Sequence, residues 1–338
     1  MNWDELQEIW ALPGPGALRP SSQGLNNLTQ IVETAAGNYI LRTYDADRPL
    51  EHIGYELILL RELQQKNLPF HIPAPVPTVT GELCAIFSGR MMTLMPWLRG
   101  LPPQGDNLEQ AQSAGQALAD LVMALADIQI ETTFEIVPFP LSGDFEAWGK
   151  IDTGSVNSIV MELPLAKKEQ SQILALVERM QTTAPSLYRM SPVQIIHRDY
   201  DQSNILMDGK TVTGVLDFEF CGPDLRILDL AYALSQWPAG WWNSGKERDI
   251  INAFAQGYLK NQMLTLEELE ILPAVFRLRA TTGLFYRAGR YARHLETSES
   301  LLRCLQEILN FEHWLELHEE QLFRQIRSWT FPEGTELS

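Results

Sequence analysis

The sequence predicts an α+β protein with two lobes, a small mixed lobe followed by a larger, mostly helical one. Strand and helix patterns alternate within about the first 95 residues, and the connection "RGLPPQGDN" that follows is rich in breakers of secondary structure. From about residue 247 to 327 the spacing of apolar residues is helical, with almost no strand pattern. A chain of 338 residues is long enough for two lobes, and we place the small lobe at 1–95 and the helical lobe at 96–338.

The first lobe begins with a short predicted helix at residues 3–10. Two strands, "LTQIVET" and "NYILRTYD", flank the turn "AAGN", which predicts a hairpin. The stretch "LEHIGYELILLRELQQKN" has apolar residues at helical spacing, and the proline-rich "LPFHIPAPVPTV" must be extended. A second pair of strands, "LCAIFSG" and "RMMTLMPW", completes this lobe.

The second lobe is predicted to contain the long helices "LEQAQSAGQALADLVMALADI" and "AKKEQSQILALVERMQTTA". The short apolar run "VQII" follows, and "NILMDGKTVTGVLDF" reads as two short strands joined by the turn "DGK". Three tryptophans, Trp237, Trp241 and Trp242, lie close together in the sequence. Core packing between helices is favoured for them, and the alternatives are the wall of a substrate pocket and an aromatic cage for a cation.

Composition narrows the classes of partner and location. A formal net charge of -17 disfavours a nucleic-acid or anionic-membrane partner. No apolar run approaches the roughly 18 to 20 residues of a membrane span, and "MNWDELQEIW" lacks the features of a signal peptide. The three cysteines form no CxxC pair. We therefore expect a cytoplasmic monomer or homodimer that binds neither nucleic acid nor membrane.

The stretch "IIHRDYDQSNILM" (195–207) places polar residues between two apolar runs, a common way to present catalytic groups rigidly. Asp199 lies two residues after His197, Asn204 lies five residues further on, and Asp217 ends a strand 18 residues after Asp199. Phosphoryl transfer needs a carboxylate to orient a hydroxyl and oxygen ligands for Mg²⁺. We therefore predict Asp199 as the catalytic base, supported by His197 and Arg198, with Asn204 and Asp217 as Mg²⁺ ligands.

These motifs resemble the kinase pattern H-R-D-x-x-x-x-N followed by D-F-G, with Glu219 in place of the glycine. That departure is similar to the aminoglycoside phosphotransferase and choline kinase superfamily, with its "HxDxxxxN … DxE". "GPDLRILDLAYAL" matches the superfamily's Asp-Leu-Ala helix start, where Asp229 is expected to cap the helix or brace the loop. "GLNNLTQIVETAAGNYILRTYD" and "TVTGVLDFEFCGPDLRILDLAYALSQWP" further resemble type II homoserine kinases. The resemblance implies a bilobal protein-kinase-like fold.

The resemblance also implies the positions of an ATP site. Backbone amides and short side chains of a loop would cover the triphosphate, a strand residue and a helix residue would pair beside the phosphates, and a hinge would meet adenine. The residues are Ser22, Gly24, Asn26 and Asn27 for the loop, Arg42 and Glu56 for the pair, and Met95 and Trp97 for the hinge. Three roles remain possible for the Glu219 side chain: it contacts a metal, it contacts a substrate amine, or it faces solvent.

The predicted function is an ATP- and Mg²⁺-dependent kinase that phosphorylates a hydroxyl of a small molecule. A cationic or zwitterionic acceptor is expected, with a homoserine-like amino acid or amino alcohol favoured. The carboxylate of an amino acid would need a cation, which Arg279, Arg287 or Arg290 could supply. An aminoglycoside phosphotransferase is the nearest alternative enzyme, and a catalytically silent ATP-binding regulatory module is the alternative of another class.

Overall fold

The computed structural model describes residues 2–20, 27–45, 48–130 and 139–330. The strands are β1 Gly16–Pro20, β2 Asn27–Thr34, β3 Gly37–Tyr44, β4 Ala85–Phe87, β5 Arg90–Pro96, β6 Val193–Ile196, β7 Ile205–Asp208, β8 Thr211–Val215 and β9 Gly222–Leu225. The helices are α1 Trp3–Trp10, α2 Leu50–Gln64, α3 Leu108–Ala126, α4 Phe145–Gly149, α5 Thr153–Glu162, α6 Lys167–Leu187, α7 Leu228–Gln236, α8 Glu247–Tyr258, α9 Leu266–Ala292 and α10 Ser298–Thr330. A short 3₁₀ helix spans Gln202–Asn204.

Contacts between residues group the chain into two compact units. The first contains the described residues up to Pro102, those within 127–138, and the segment Asn204–Glu219. The second contains Pro103–Ala126, Phe139–Ser203 and the described residues from Phe220 onward. We predicted a single boundary between residues 95 and 96. By contacts, the first unit extends a little further and includes a hairpin that is distant in the sequence.

The first unit is built on an antiparallel sheet of five strands in the order β1-β2-β3-β5-β4. Helix α1 starts with a capping box formed by Asn2 and Glu5 and packs its buried Leu6 and Trp10 against the sheet. The Trp10 indole N–H donates to the Val76 carbonyl at 3.1 Å, which fixes the proline-rich segment beside this helix. One hydrophobic cluster of this unit therefore lies between α1 and the sheet.

Strands β7 and β8 join the first unit through two isolated bridges. His71 bridges to Gly214 in parallel, and Leu101 bridges to Met207 in antiparallel fashion. The Thr213 hydroxyl also donates to the Arg99 carbonyl at 2.9 Å. These bonds explain why the hairpin belongs to the unit that contains the sheet, although more than 100 residues separate them in the chain.

The second unit is mostly helical, and its helices pack closely. Gly115 of α3 faces α8, where an added Cβ would lie only 1.9 Å from the Phe254 carbonyl oxygen, so a side chain cannot be accommodated there. Helix α9 starts with a capping box between Thr265 and Glu268. Strands β6 and β9 pair in antiparallel fashion. The loop that carries the predicted catalytic residues begins directly after β6.

The α+β class with an antiparallel sheet and a helical region is confirmed. The predicted helices correspond to α1, α2, α3, α6 and the C-terminal series α8 to α10. Strands β1 and β9 were not predicted from the sequence. Among the tryptophans, Trp237 is fully buried against Phe254, with ring centroids 5.1 Å apart, as core packing requires. No helix within the described ranges combines the length and hydropathy that crossing a membrane requires.

Candidate active site

In the first unit, Arg42 and Glu56 form the predicted pair. Arg42 Nη1 donates to Glu56 Oε1 at 2.9 Å, and the Glu56 side chain is only 2% exposed. The other oxygen of Glu56 accepts from Arg48 Nη2 at 3.0 Å, so one buried carboxylate holds two guanidinium groups. Burial alone would lower the pKa of Arg42, but the charges of Glu56 and Asp217 raise it above its ordinary value. Arg42 therefore stays positively charged.

Glu219, whose role stayed open, is held by the same network. Its Oε2 accepts from Arg48 Nη1 at 2.8 Å and from the Asn27 amide at 3.1 Å. Asn27 is therefore close to the D-F-E segment, while its Oδ1 is buried without a hydrogen-bond partner in the part of the chain that the structure describes. The contacts of Glu219 show that it braces Arg48 and Asn27 and does not face solvent, since it is buried.

Asp217 and Asn204 are brought together by the hairpin. The Asn204 carbonyl accepts the N–H of Leu216 at 2.8 Å, so Asp217 follows directly after a residue bonded to Asn204. Asp217 has a left-handed backbone with φ of 59°, and its Oδ1 lies 3.9 Å from Arg42 Nη2. Within the described ranges this buried oxygen has no hydrogen-bond partner. A carboxylate oxygen left without a donor, on a segment whose backbone is bonded to that of Asn204, fits the oxygen ligands that Mg²⁺ prefers.

The predicted hinge residues have their main chains paired with β3. The Trp97 N–H donates to the Asn38 carbonyl at 3.0 Å, and Met95 lies opposite Ile40 in the ladder. Hydrogen bonds of an antiparallel strand alternate between its two sides. The main-chain groups that point away from β3 are therefore those of Pro96 and Leu98, next to the residues that we predicted. The remaining predicted loop residues, Ser22, Gly24 and Asn26, lie outside the described residues.

In the second unit, Asp229 fixes the loop that carries the H-R-D motif. Its two carboxylate oxygens accept the backbone N–H of His197 at 2.7 Å and of Arg198 at 2.6 Å. Burial raises the pKa of Asp229 to about 6, although these two N–H groups and the Arg198 charge act in the opposite direction. Asp229 is fully buried on α7, and it does brace the loop, as expected.

Arg198 is locked by its side chain as well as its backbone. It has a left-handed φ of 67°, and Nη2 donates to the Pro223 carbonyl and pairs with Asp224 at 3.1 Å. Asp224 also accepts from both the N–H and the hydroxyl of Ser142, and from Tyr188 at 2.8 Å. Arg198 is only 3% exposed, so this network fixes its side chain and keeps it away from solvent.

Asp199 follows directly after this rigid segment. Its backbone N–H donates to His197 Nδ1 at 3.2 Å, which makes His197 an internal support of the loop. Its Oδ1 accepts from the Tyr232 hydroxyl at 3.1 Å and lies 3.9 Å from Arg279 Nη2. The Asp199 side chain remains 22% exposed. A partly exposed carboxylate with a fixed backbone and a fixed oxygen can orient a hydroxyl and accept its proton.

Comparison with known proteins identifies the family. Residues 17–271, well over half of the chain, match the phosphotransferase enzyme family. The chain belongs to this family. It is 26% identical over 275 residues to a homoserine kinase from Rhodopseudomonas palustris (strain HaA2), covering 79% of this chain and 77% of the relative. It is 24% identical over 305 residues to a homoserine kinase from Polaromonas naphthalenivorans (strain CJ2), covering 90% and 88%.

Solved structures agree on the fold of this phosphotransferase. The microcompartment-associated aminopropanol kinase matches with a TM-score of 0.66 at 20% identity, covering 96% of this chain and 98% of that structure. An amicoumacin kinase, solved with AMP-PNP, Ca²⁺ and Ami, matches with a TM-score of 0.65 at 15% identity, covering 90% and 91%. The predicted kinase-like fold is thereby confirmed, and family membership confirms that the chain is an enzyme that transfers phosphate.

Two residues of the phosphotransferase network were missed by sequence reasoning. Arg48 joins Glu56 to Glu219, which is 171 positions away from Arg48 in the chain. Tyr232 contacts Asp199 from α7, where the sequence suggests only an apolar helix face. A lone arginine in a loop and a tyrosine in an apolar helix give no local signal, because their partners are distant in sequence. Only the folded chain reveals them.

Proposed function

We propose that this phosphotransferase moves the γ-phosphate of ATP to a hydroxyl group of a small amino acid or amino alcohol, with a homoserine-like acceptor favoured. The observation that carries the proposal is the setting of Asp199, whose oxygen contacts Tyr232 at 3.1 Å on a loop fixed by Asp229. The similarity to homoserine kinases over most of the chain supports the choice of acceptor.

In the proposed step, a bond forms between the acceptor oxygen and the γ-phosphorus, while the bond from that phosphorus to the bridging oxygen of ADP breaks. The hydroxyl proton passes to Asp199, and positioned bases of this kind contribute about 10² to 10⁴-fold in rate. His197 holds the backbone N–H of Asp199 and Tyr232 holds its carboxylate, which removes the need to reorganise the site during the reaction.

On the nucleotide side, we assign Arg42 to the phosphates, with Glu56 fixing its guanidinium group. Adenine would be met by the carbonyl of Pro96 and the N–H of Leu98, because these main-chain groups face away from β3. The loop residues Ser22, Gly24, Asn26 and Asn27 remain assigned to the triphosphate. Asn204 and Asp217 would hold Mg²⁺, which neutralises charge on the transferring phosphate when bound.

The acceptor is expected to carry an ammonium group. The chain has a formal net charge of -17, and this acidic field favours the approach of a cationic or zwitterionic molecule. Homoserine combines an ammonium group with a primary hydroxyl in a small molecule. A bulky amino sugar would instead need a broad acidic surface, and that alternative is decided by the assay described next.

The test is ATP turnover with Mg²⁺ across homoserine, serine, ethanolamine, choline and kanamycin. We expect the highest kcat/KM for a small amino acid or amino alcohol, and loss of turnover in Asp199→Asn. Asp208→Asn, which changes an exposed aspartate at the end of β7, is the matched control and should behave as the wild type. Efficient turnover of kanamycin while the small acceptors are ignored would contradict the proposal. Binding of ATP without turnover of any acceptor would favour the regulatory alternative.

A further inference from the structure

Helix α9 contains four arginines, and one of them differs from the others. Three are paired with glutamates at 3.6 Å or less: Arg277 with Glu312 and Glu319, and both Arg287 and Arg290 with Glu296. Those pairs use the charge of the arginines for contacts inside the protein. Arg287 and Arg290 were candidates for binding an acceptor carboxylate, and Glu296 makes both of them unsuitable. Arg279 is the candidate that remains.

Arg279 has its guanidinium group fixed without a normal hydrogen bond. Its Cζ lies 4.1 Å from the centre of the Tyr232 ring, and its side chain is 23% exposed. Gly283, one turn later, leaves space for it, since an added Cβ would lie 3.3 Å from Arg279 Nη1. Within the described residues, Arg279 donates no hydrogen bond, although a guanidinium group has five N–H donors. The side chain is 23% exposed and none of its nitrogens is among the buried atoms that lack a partner in the described part of the chain, so its N–H groups are accessible and available to a ligand.

The position of Arg279 defines what that ligand carries. Its ion-pair partner among the described residues is Asp199, and their separation of 3.9 Å exceeds a hydrogen bond. Tyr232 contacts both residues, stacking on Arg279 and donating to Asp199, so it sets the two side by side. In an acceptor whose hydroxyl lies against Asp199, a second polar group a few bonds away is therefore within reach of Arg279. A planar guanidinium group binds a carboxylate through two parallel hydrogen bonds.

We propose that Arg279 binds the carboxylate of the acceptor and so selects hydroxy amino acids over amino alcohols that lack this group. The inference rests on the proposed function, and it names the specificity residue of that site. The competing explanation is that Arg279 only positions Asp199. Tyr232 already holds the same oxygen of Asp199 at 3.1 Å, whereas Arg279 is too distant to hold it.

A matched pair of acceptors separates these explanations. Homoserine and 3-aminopropan-1-ol share a primary hydroxyl and an amine, and they differ only in the carboxylate. We expect Arg279→Met, which keeps an unbranched apolar side chain, to lower kcat/KM for homoserine by about 10- to 100-fold, the value of a charged hydrogen bond. The kcat/KM for 3-aminopropan-1-ol should stay unchanged. Arg279→Lys should recover part of the activity with homoserine. Arg287→Met, on the same helix, should leave the preference for homoserine unaltered.

Each other outcome identifies what has failed. Equal losses with both acceptors in a normally folded Arg279→Met protein would show that Arg279 positions Asp199, and only the carboxylate inference would fall. No loss with either acceptor would exclude Arg279 from the site. A wild-type enzyme that phosphorylates neither compound would contradict the proposed function itself, and the assignment of Arg279 with it. Thermal unfolding of each variant establishes that it is folded before kinetics are compared.

Discussion

Replacing Glu56 with glutamine tests whether the buried charge network supports the proposed nucleotide site. The carboxylate binds Arg42 through one oxygen at 2.9 Å and Arg48 through the other at 3.0 Å. Side-chain exposure is 2% for Glu56, 16% for Arg42 and 11% for Arg48. Glutamine has nearly the same shape, but it removes the negative charge and replaces one acceptor oxygen with a donor, so one guanidinium group loses its partner.

The size of the effect follows from this burial. Breaking a buried ion pair by removing one partner costs about 3 to 5 kcal/mol, because the remaining charge is left uncompensated. Glutamine keeps one acceptor, and Arg48 keeps Glu219 at 2.8 Å, so we expect a loss of about 3 kcal/mol, at the lower end. Glu62→Gln on the same helix is the control. Its pair with Arg61 at 3.2 Å is 43% to 51% exposed, and such pairs contribute about 0 to 1 kcal/mol.

Urea unfolding measures the difference, since the free energy of unfolding falls linearly with urea concentration. ATP affinity should be measured on the same proteins, because Arg42 loses the group that orients it and binding should weaken. If Glu56→Gln costs no more than Glu62→Gln and binds ATP normally, the network does not hold Arg42 in place. The reasoning that assigns Arg42 to the phosphates through Glu56 would then be refuted.

Three further predictions concern aspartates of the site. Asp199→Asn should lower kcat by about 10² to 10⁴-fold while ATP affinity is kept, and steady-state kinetics at the wild-type rate would contradict its role as base. Asp217→Ala should abolish the Mg²⁺-dependent rise in Tm that ATP produces, and a full rise in calorimetry would exclude Asp217 as a metal ligand. The pKa of Asp229 is raised from 3.8 to about 6, so the stability gained from its protonated form is present below about pH 4 and is lost as the pH rises through about 6. At about 1.4 kcal/mol per pKa unit this amounts to about 3 kcal/mol, and Asp229→Asn should lack this component in unfolding experiments between pH 4 and 7. A stability difference from the wild type that is constant over that range would contradict the shift.

The sequence was most informative where chemistry and chain order coincide. The residues of the H-R-D loop and Asp217 are adjacent to short apolar segments, and "NILMDGKTVTGVLDF" was predicted as the strand pair that the structure contains as β7 and β8. Helices such as α2 and α3 were predictable because their apolar residues repeat at helical spacing and face a core. Strand β9, "GPDL", has no strand pattern of its own, and it pairs with β6 only because the fold places the two together.

The hinge shows a subtler limit of sequence reasoning. The segment "LMPWL" was predicted as the hinge, and which of its main-chain groups are available depends on the register between β3 and β5. That register places Met95 opposite Ile40 and directs the Trp97 N–H to Asn38. A shift of one residue would reverse the two sides of the strand. Register is determined by packing of the whole sheet, so the sequence could predict the segment but not the residue.

Backbone strain is a feature of this site that no sequence pattern predicts. Arg198 and Asp217 both have left-handed backbones, with φ of 67° and 59°, although neither is glycine. Such conformations cost about 1 to 3 kcal/mol each and persist only where surrounding bonds impose them. For Arg198 those bonds are the two N–H groups held by Asp229, and for Asp217 they include the Leu216 N–H held by Asn204. Each strained residue lies at or next to a predicted functional carboxylate, and each is fixed from outside its own loop. The rigidity of the two loops therefore comes from Asp229 and Asn204. This role explains why the chain keeps the Asp229 carboxylate buried on α7, although burial opposes the ionisation of that group.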